Sequence, residues 1–332
     1  MKKIMNAPEN FVDETMEGIF AAYEGKVRCL NGDNRILLSA YPTPKGKVGV
    51  VTAGGFGHLP VFLGYVGQGL LDGCTVGNVF ASPSYTKMAD MIRACDSGAG
   101  VLCLYGNYGG DKMNFSQAIE DCEFDGIACE TVLVQDDIAS GPRGKRRGVA
   151  GMVYAFKCAG AAAAQMLPLK KVTEAAEKAL DNIRTIGMAL SPCTVPEVGK
   201  PTFSIRDDEM EIGMGIHGEK GIEISKIKTA DEIVEIILDK LLKDMPLNVG
   251  DEVSVMVNGL GATPLEEQFI VYRGISNYLK KAGITVFMPH IGEFATSMEM
   301  AGISVTIFKL DKQLKELLSY PAVTPFYTNA NK

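Results

Sequence analysis

The sequence predicts an α/β protein built from two α/β domains, each a sheet flanked by helices. Three observations favour this fold class. Short apolar runs that end in Gly-rich turns alternate with stretches of helical spacing. A Pro-rich segment interrupts the alternation near residue 191, and a second α/β series follows it. The length of 332 residues exceeds what one ordinary hydrophobic core supports.

The first domain is expected to span residues 1–190 and to hold a largely parallel sheet with helices on both faces. Buried strands are predicted at 47–55, 100–106 and 130–137. Helices are predicted between them at 84–95 and 113–124. This alternation of strand and helix is typical of a parallel sheet. Two further helices are expected, an Ala-rich buried one over 148–166 and another over 169–190.

The second domain is expected to span residues 191–332, after the segment SPCTVPEVGKP, whose three prolines end the helical region. Its strands are predicted at 209–216, 251–261, 283–290 and 302–310. Its helices are predicted at 229–245 and 264–283. Thr229 or Asp231 is expected to cap the first of these helices, and Gly283 to end the second.

The composition excludes several classes of protein. A net charge of -7 and the absence of Trp argue against a nucleic-acid partner. The N-terminal segment has no apolar core suited to a signal peptide, and no stretch approaches the roughly 20 apolar residues of a membrane span. Eight cysteines without C-x-x-C spacing and only three histidines predict reduced thiols and no metal site. We therefore expect a soluble, cytoplasmic protein.

Three Gly-rich loops carry the candidate chemistry, and the first is TAGGFGHLP (52–60). A strand runs into glycines that permit positive φ and bring backbone N–H groups close to a ligand, and His58 follows directly. The loop is not a P-loop, because no Gly-Lys-Ser/Thr follows, and Pro60 argues against a dinucleotide-binding turn. Two interpretations remain open: a ligand cradle with a functional His58, or a tight turn with a structural one.

The other two loops each place a polar residue after a predicted strand. YGNYGGDKMNF (105–115) places Asp111 at the edge of the sheet where ligands bind in parallel folds, unless Asp111 only caps the following helix. MGIHGEKGIE (214–223) places His217 at the end of a strand, with Gly218 exposing its imidazole. The remaining histidine, His290, stands beside a proline and is expected to be structural.

Together these loops resemble the family of dihydroxyacetone kinase substrate-binding subunits, the DhaK family. The similarity covers essentially the whole chain and implies a DhaK-like fold and a small polyhydroxy ketone as substrate. It is supported by the order and spacing of further segments: GYVGQGLLDG (64–73), NVFASPS (78–84), KRRGVAG (145–151), CTVPEVGKPTF (193–203), DEMEIGMGIHGEKGIE (208–223), NGLGATPLEE (258–267) and FATSMEMAGISVT (294–306).

The resemblance also implies roles for particular residues. His217 adds through an imidazole nitrogen to the ketone carbon and forms a hemiaminal, since a neutral imidazole is a good nucleophile near neutral pH. Asp111 orients and deprotonates the terminal hydroxyl, and His58 assists as a hydrogen-bonding acid or base. The implied substrate-binding residues are Gly55, Phe56, Gly57, His58, Gly106, Asp111 and His217.

The resemblance further implies that the nucleotide lies on another subunit. The sequence has neither a P-loop nor a run of Asp residues suited to Mg²⁺-ADP, so ADP or ATP and Mg²⁺ are expected on a DhaL-type partner. In the bacterial systems that partner is recharged by a phosphotransferase chain that starts at phosphoenolpyruvate. A homodimer is also expected. The basic run RGKRRG (143–148) is either a docking site for an acidic face of the partner or a solvated loop.

Four positions depart from the family pattern. Phe56 and Leu59 stand where the family has Ser and Glu, and Gly106 and Gly109 stand where it has Lys and Thr. Loss of the Lys predicts more room beside the substrate, and Phe56 predicts an apolar wall. Two explanations remain open. Either the pocket takes a different ketose, such as erythrulose, or the chain binds ligand without turnover, like the coactivator DhaQ, which works with a transcription regulator.

Overall fold

The computed structural model describes residues 2–330 and contains two large sheets flanked by helices, which confirms the α/β prediction. The helices are α1 (Phe11–Ala22), α2 (Tyr85–Cys95), α3 (Gly109–Phe124), α4 (Met152–Ala164), α5 (Leu169–Asp181), α6 (Ala230–Asp244), α7 (Leu265–Lys281) and α8 (Lys312–Ser319). The strands are β1 (Val27–Leu30), β2 (Asp33–Ser39), β3 (Gly49–Phe56), β4 (Gly73–Val79), β5 (Val101–Gly106), β6 (Cys129–Val134), β7 (Ile183–Ser191), β8 (Glu209–Ile212), β9 (Glu223–Lys226), β10 (Glu252–Gly259), β11 (Thr285–Val286), β12 (His290–Gly292), β13 (Ala301–Leu310), β14 (Ala322–Val323) and β15 (Thr328–Asn329).

The first sheet has six strands in the order β1-β2-β4-β3-β5-β6. The last four run parallel, whereas β1 and β2 form an antiparallel extension. The strands predicted at 47–55, 100–106 and 130–137 are confirmed as β3, β5 and β6. β3 and β5 are buried along their whole length because helices cover both faces of the sheet. The sequence pattern missed β1, β2 and β4, whose polar residues and glycines interrupt the apolar runs.

The Ala-rich helix α4 lies between the two sheets and is buried from Met152 to Ala163, as predicted. Its residues share one hydrophobic cluster with Val50 of the first sheet and with Met256 and Phe308 of the second. A Cβ added to Gly160 would lie 2.4 Å from the backbone of Leu70. Small residues along α4 therefore let the neighbouring backbone approach it closely.

The second sheet follows the order β11-β10-β13-β7-β8-β9, with β12 also paired to β10. From β10 to β9 the neighbours run antiparallel, while β11 and β12 run parallel to β10. α6 and α7 cover one face through residues such as Ile237 and Ile275. The other face packs toward α4. The second sheet is thus more antiparallel than the first.

The helix predicted over 169–190 is wrong in its second half. α5 ends at Asp181, and the following residues form β7, which pairs with β13 on one side and β8 on the other. β7 is buried from Ile183 to Ala189. The run IRTIGMALS is short and mixes apolar residues with Arg184 and Thr185, so its periodicity alone does not assign it to a strand or a helix. Only pairing with β13, which lies more than 100 residues further along the chain, decides the conformation.

The predicted division of the chain at residue 190 is wrong as well. β7 belongs to the second sheet although it precedes that boundary. The chain after β13 returns to the first core, where Leu314 and Leu317 of α8 join the cluster around α4. Thr324 then donates a hydrogen bond from Oγ1 to the Gly64 carbonyl at 2.7 Å. The two sheets therefore share α4 and the C-terminal segment as a common layer.

Several predicted element ends can be compared with the structure. Thr229 caps α6 in a capping box with Glu232, and Gly283 follows α7 with a φ of 71°, as predicted. β8 stops at Ile212 rather than at residue 216, because Gly213 turns the chain with a φ of 83°. The segment predicted as one strand over 283–290 pairs only in the short strands β11 and β12.

Two further expectations concern the state of the cysteines and the absence of a membrane-spanning segment. All eight cysteines are free thiols, and six of them are buried, as their apolar surroundings predicted. Across residues 2–330, none of the helices combines the length and apolar character needed to cross a membrane.

The basic run 143–148 fits the solvated-loop interpretation at Arg143 and Lys145, which are exposed, whereas Arg146 and Arg147 form internal ion pairs. Arg146 binds both carboxylate oxygens of Asp244, and Arg184 binds the same carboxylate. Arg147 donates from Nε and Nη2 to Oδ2 of Asp137, at 3.0 and 2.8 Å. Arg146 is 7% exposed, so it is not available to a partner. Both arginines instead tie the segment after β6 to the second half of the chain.

This arrangement predicts a large loss of stability when Asp244 is replaced. Asp244→Ala leaves two buried guanidinium groups without their carboxylate, and breaking a buried pair costs about 3 kcal/mol or more. Urea unfolding followed by circular dichroism measures the change. The matched control is Asp181→Ala, which removes an ion pair to Arg143 whose side chains are 62% and 73% exposed and should cost less than about 1 kcal/mol. Equal losses in the two variants would contradict the prediction.

Candidate active site

His58 follows the end of β3, on a turn that requires glycine. Gly57 has a φ of 100°, and a Cβ there would lie 2.9 Å from the ring of Phe80. The His58 side chain is 1% exposed, and its Nδ1 lies 2.8 Å from the carbonyl oxygen of Thr296. Because a carbonyl only accepts, Nδ1 carries the proton and Nε2 presents its lone pair. Nε2 is buried and has no hydrogen-bond partner in the described part of the protein.

Asp111 follows β5 but lies within the first turn of α3, not at its cap. The helix begins at Gly109, four residues earlier than predicted, so the interpretation of Asp111 as an N-cap is wrong. The residue is 6% exposed, and the Ser82 side chain lies beside the α3 N-terminus, near the carboxylate. Oδ1 is the second buried polar atom at this site that lacks a partner among residues 2–330. A buried acceptor without a donor is costly, so such atoms mark where a ligand supplies the donor.

His217 lies in the turn between β8 and β9, and its ring meets that of His58. The two imidazole centroids are 4.7 Å apart, at 77° to each other. Nδ1 of His217 lies 2.9 Å from Oε1 of Glu219, and Oε2 of Glu219 accepts from the backbone N–H of His217 at 2.9 Å. A carboxylate only accepts, so this contact places the proton on Nδ1 and leaves Nε2 free. The side chain is 23% exposed and can be reached by a small molecule.

Two aromatic rings enclose the imidazoles. Phe80 stacks on His58 with centroids 4.8 Å apart, and Tyr108 meets His217 edge-on at the same distance. Tyr108 is held by a 3.0 Å hydrogen bond from its hydroxyl to the Gly148 carbonyl. These rings limit the access of water, which strengthens electrostatic interactions within the site.

Burial and neighbouring charges shift the pKa values of the acids and bases in the site in different directions. Burial, reinforced by His217, lowers the pKa of His58 to about 3, so this ring stays neutral at physiological pH. Burial raises the pKa of Asp111 to about 6, against the opposing effects of Ser82 and His217. Burial also raises the pKa of Glu219, but the hydrogen bond and charge of His217, with Arg147, outweigh it and bring the pKa to about 2. Glu219 is therefore a carboxylate at any physiological pH.

The glycine and phenylalanine positions predicted to contact substrate have different surroundings. A Cβ at Gly55 would lie 2.7 Å from the backbone nitrogen of Ala81, so Gly55 permits the close approach of segment 80–81. Phe56 points into the hydrophobic core, where its ring centroid lies 6.3 Å from that of Phe11. The expectation that the Phe56 side chain forms an apolar wall of the site is therefore wrong, and Phe80 provides that wall instead.

The expected space at Gly106 is also occupied. A Cβ at Gly106 would lie 3.0 Å from the ring of Tyr108, which covers this glycine and contacts His217. The absence of a Lys side chain at position 106 therefore does not leave an open volume. It allows Tyr108 to pack down against the end of β5.

Sequence reasoning missed four residues that shape the site: Phe80, Tyr108, Glu219 and Thr296. Each lies in a segment already singled out, since NVFASPS contains Phe80, the Asp111 loop contains Tyr108, and MGIHGEKGIE contains Glu219. A His-x-Glu spacing in a turn was the one available signal for Glu219. Thr296 is distant from His58 in sequence, so no local pattern connects them.

His290, expected to be structural, has both ring nitrogens near tyrosine hydroxyls. Nδ1 lies 3.3 Å from the hydroxyl of Tyr154, and Nε2 lies 3.2 Å from that of Tyr327. Across residues 2–330, no cluster of three or more His, Cys, Asp or Glu side chains is arranged to hold a metal ion.

The fold and the facing imidazoles define an α/β protein with a small-ligand site built by loops from both sheets. The Dak1 domain matches residues 17–326 of the chain. The chain therefore belongs to the Dak1 domain family, which confirms the resemblance drawn from its loops.

Two curated relatives show how the chain compares in length. It is 44% identical over 328 residues to the PTS-dependent dihydroxyacetone kinase 2, dihydroxyacetone-binding subunit DhaK, of Listeria innocua, covering 98% of this chain and 99% of that protein. It is 42% identical to the L-erythrulose kinase of Pectobacterium atrosepticum, covering 98% of this chain but 56% of that protein. The chain thus spans the whole of one relative and about half of the other.

Two solved structures share the fold. The dihydroxyacetone kinase from C. freundii, in complex with AMP-PNP and Mg²⁺, matches with a TM-score of 0.89 at 29% identity, covering 99% of this chain and 61% of that one. The dihydroxyacetone kinase operon co-activator Dha-DhaQ matches with a TM-score of 0.89 at 28% identity, covering 96% of this chain and 98% of that one. The same fold therefore occurs both in a kinase and in a protein named as a co-activator.

Proposed function

We propose that this chain is the substrate-binding subunit of a kinase for dihydroxyacetone or a related short-chain ketose. The observation that carries the proposal is a pair of buried acceptors, Nε2 of His58 and Oδ1 of Asp111, that find no donor within residues 2–330 and lie beside the accessible ring of His217. A polyhydroxy ketone supplies hydroxyl donors for both acceptors and a carbonyl carbon for a nucleophile. The names of the kinase relatives point to the same class of substrate.

In this proposal His217 holds the substrate covalently. The Nε2 lone pair forms a C–N bond to the ketone carbon, and the carbonyl π electrons move to the oxygen, which takes up a proton. The imidazole gains positive charge in this step and loses the Nδ1 proton to return to neutrality. Glu219, a carboxylate 2.9 Å from Nδ1, accepts the Nδ1–H hydrogen bond and stabilises the positive charge until that proton leaves. Across the whole step, one proton passes from Nδ1 to the former carbonyl oxygen through solvent. The product is a neutral hemiaminal on Nε2.

Asp111 then acts as the base for phosphoryl transfer. Oδ1 accepts the proton of the terminal hydroxyl while that oxygen attacks the phosphorus atom. A carboxylate with a pKa raised to about 6 is a stronger base than an ordinary Asp and is still ionised at pH 7. His58, protonated at Nδ1, offers only an acceptor at Nε2, so it orients a substrate hydroxyl rather than donating a proton. The resemblance implied that His58 acts as an acid or base; in this proposal it acts only as a hydrogen-bond acceptor for the substrate.

The phosphate is proposed to come from a separate DhaL-type subunit that carries ADP or ATP with Mg²⁺. The support is the naming of the Listeria relative as a PTS-dependent, dihydroxyacetone-binding subunit, and the presence of AMP-PNP and Mg²⁺ in a relative of greater length. We further propose that the chain works as a cytoplasmic homodimer with no cofactor of its own. Because Arg146 and Arg147 are bound internally, partner docking is not assigned to them.

The test combines binding and turnover. Calorimetry measures the binding of dihydroxyacetone and of both erythrulose enantiomers, and a coupled assay measures phosphorylation when a DhaL-type subunit is supplied. That subunit is first shown to be active with the Listeria innocua relative. Binding followed by phosphorylation supports the kinase. Binding without phosphorylation by the active partner would favour the co-activator function, which the likeness to DhaQ makes the second candidate.

The same assay decides the preferred ketose by kcat/KM. The two departures that suggested a shifted preference no longer support it, since Phe56 lies in the core and Tyr108 covers Gly106. Because the chain is 42% identical to an L-erythrulose kinase, the assay still includes both erythrulose enantiomers beside dihydroxyacetone. A kcat/KM highest for dihydroxyacetone is the expected result.

Glu219 provides a separate prediction about covalent capture. Glu219→Gln keeps an acceptor for Nδ1 of His217 but removes the negative charge, so capture and turnover should fall by roughly 10–100-fold. The measurement is kcat/KM in the coupled assay. The control is Glu211→Gln, because Glu211 is a carboxylate of the same hairpin that accepts from the Gly221 N–H and does not contact His217. Equal losses in both variants would mean that Glu219 only stabilises the hairpin.

A further inference from the structure

Asn258, at the end of β10, uses its whole hydrogen-bonding capacity on one loop and one strand. Its Oδ1 accepts from the backbone N–H groups of Phe294 and Ala295, both at 2.8 Å. Its Nδ2 donates to the Ala295 carbonyl at 2.8 Å and to Oγ of Ser304 at 2.9 Å. An amide side chain offers two donors and two lone pairs, so all four are in use. The side chain is fully buried, which makes these bonds expensive to lose.

The loop that Asn258 holds is the one that holds His58. The residue after Ala295 is Thr296, whose carbonyl accepts from Nδ1 of His58 at 2.8 Å. The Thr296 backbone N–H donates to the His58 carbonyl at 3.2 Å, and its hydroxyl donates to the Leu59 carbonyl at 2.8 Å. The 294–296 segment thus connects the second sheet to both the ring and the backbone of His58.

We propose that Asn258 is a positioning residue that sets the tautomer of His58. By fixing the segment 294–296, it keeps the Thr296 carbonyl in line with Nδ1, so that the proton stays there and the Nε2 lone pair faces the ligand. The expected effect of Asn258 on kcat rests on the proposed ketose kinase function, whereas its expected effect on the His58 tautomer does not. Without Asn258 the carbonyl moves, and the Nε2-protonated tautomer, which cannot accept from a substrate hydroxyl, becomes populated.

The test reads the tautomer directly. The chain has three histidines, so protein labelled with ¹⁵N-histidine gives three imidazole spin systems, assigned with single His→Gln variants. In the wild type we expect His58 to be protonated at Nδ1 and unprotonated at Nε2. In Asn258→Leu, which keeps the number and branching of the side-chain heavy atoms and removes all four hydrogen bonds, we expect both tautomers. Asn258→Asp, which keeps the two acceptor contacts and loses the two donors, provides a second variant that tests the same point if the Leu variant does not fold.

A matched control separates positioning from general loosening of the sheet. Thr306→Val removes the buried hydroxyl pair between Thr306 and Thr185, at 2.8 Å, in the same sheet. It should lower stability without changing the His58 tautomer or kcat. For the Asn258 variants that fold, kcat should fall by roughly 10²-fold, the scale of a small misplacement of a catalytic group.

The outcomes are distinct. A His58 ring that remains protonated only at Nδ1 in folded Asn258→Leu and Asn258→Asp would overturn the inference. A tautomer change in the Asn258 variants but not in Thr306→Val would support it. If the wild type neither binds nor phosphorylates a ketose, the proposed function fails, yet the ¹⁵N spectra still decide whether Asn258 sets the tautomer.

Discussion

The His217→Asn variant is expected to lose covalent capture completely and phosphorylation by at least ~10³-fold. A well-oriented intramolecular reactant is worth effective molarities of roughly 10⁵ M or more, and the hemiaminal is what confers this advantage on the bound ketose. Asn keeps a polar group near Glu219 but has no nucleophilic nitrogen. The loss should appear mainly in kcat, provided that His58 and Asp111 still bind the hydroxyls.

The capture step itself is measured by ¹³C NMR with dihydroxyacetone labelled at the central carbon. On binding to the wild type, the carbonyl resonance should be replaced by that of a tetrahedral carbon, whereas the His217→Asn complex should retain a carbonyl. The control is His290→Asn, which alters a half-buried histidine that contacts Tyr154 and Tyr327 instead of the site. A carbonyl resonance that persists in the wild-type complex would exclude the hemiaminal.

The Asp111→Asn variant is expected to bind and capture the ketose but to transfer phosphate roughly 10²–10⁴-fold more slowly. This is the usual range for removing a positioned general base. The control is Asp121→Asn, near the far end of the same helix, which changes an acidic residue without touching the site. Near-normal turnover in Asp111→Asn would leave Asp111 with only a structural role at the start of α3.

The same residue sets a pH dependence. The pKa of Asp111 is raised to about 6, so the carboxylate is ionised above that pH and protonated below it. Since only the ionised form accepts a proton, kcat/KM should fall as the pH drops through about 6. His58 adds no inflection in this range, because its pKa is lowered to about 3. The Asp111→Asn variant should lack the inflection.

Much of the first sheet follows from local sequence. β3 and β5 are apolar without interruption and end in glycine turns, so their identity, their burial and the loops after them were predictable. The positions of His58 and Asp111 after those strands followed directly. β7 was not predictable in this way. Its apolar residues suit a helix or a strand equally, and pairing with the distant β13 decided the matter.

The basic run 143–148 shows that local sequence also fails to indicate which partners the charged residues find in the fold. Its sequence gives four basic residues among six and no indication of their partners. Asp244 lies 98 residues from Arg146 along the chain and at the end of α6, and only the packing of that helix brings the two together. Within this run, Arg146 is therefore a buried structural link, although its sequence looks the same as that of the exposed Arg143.

For the candidate site, local sequence patterns pick out His58, Asp111 and His217 and the glycines that let the chain turn beside them. The tertiary structure alone decided their chemical state. The proton position on His58 depends on the Thr296 carbonyl, 238 residues away, and that on His217 depends on how its own turn folds back to place Glu219. The pKa of Asp111 depends on burial under residues of other elements. The proton position on His58 therefore arises from a contact between distant segments, whereas Glu219 is close to His217 in sequence and the conformation of their shared turn brings the two side chains together.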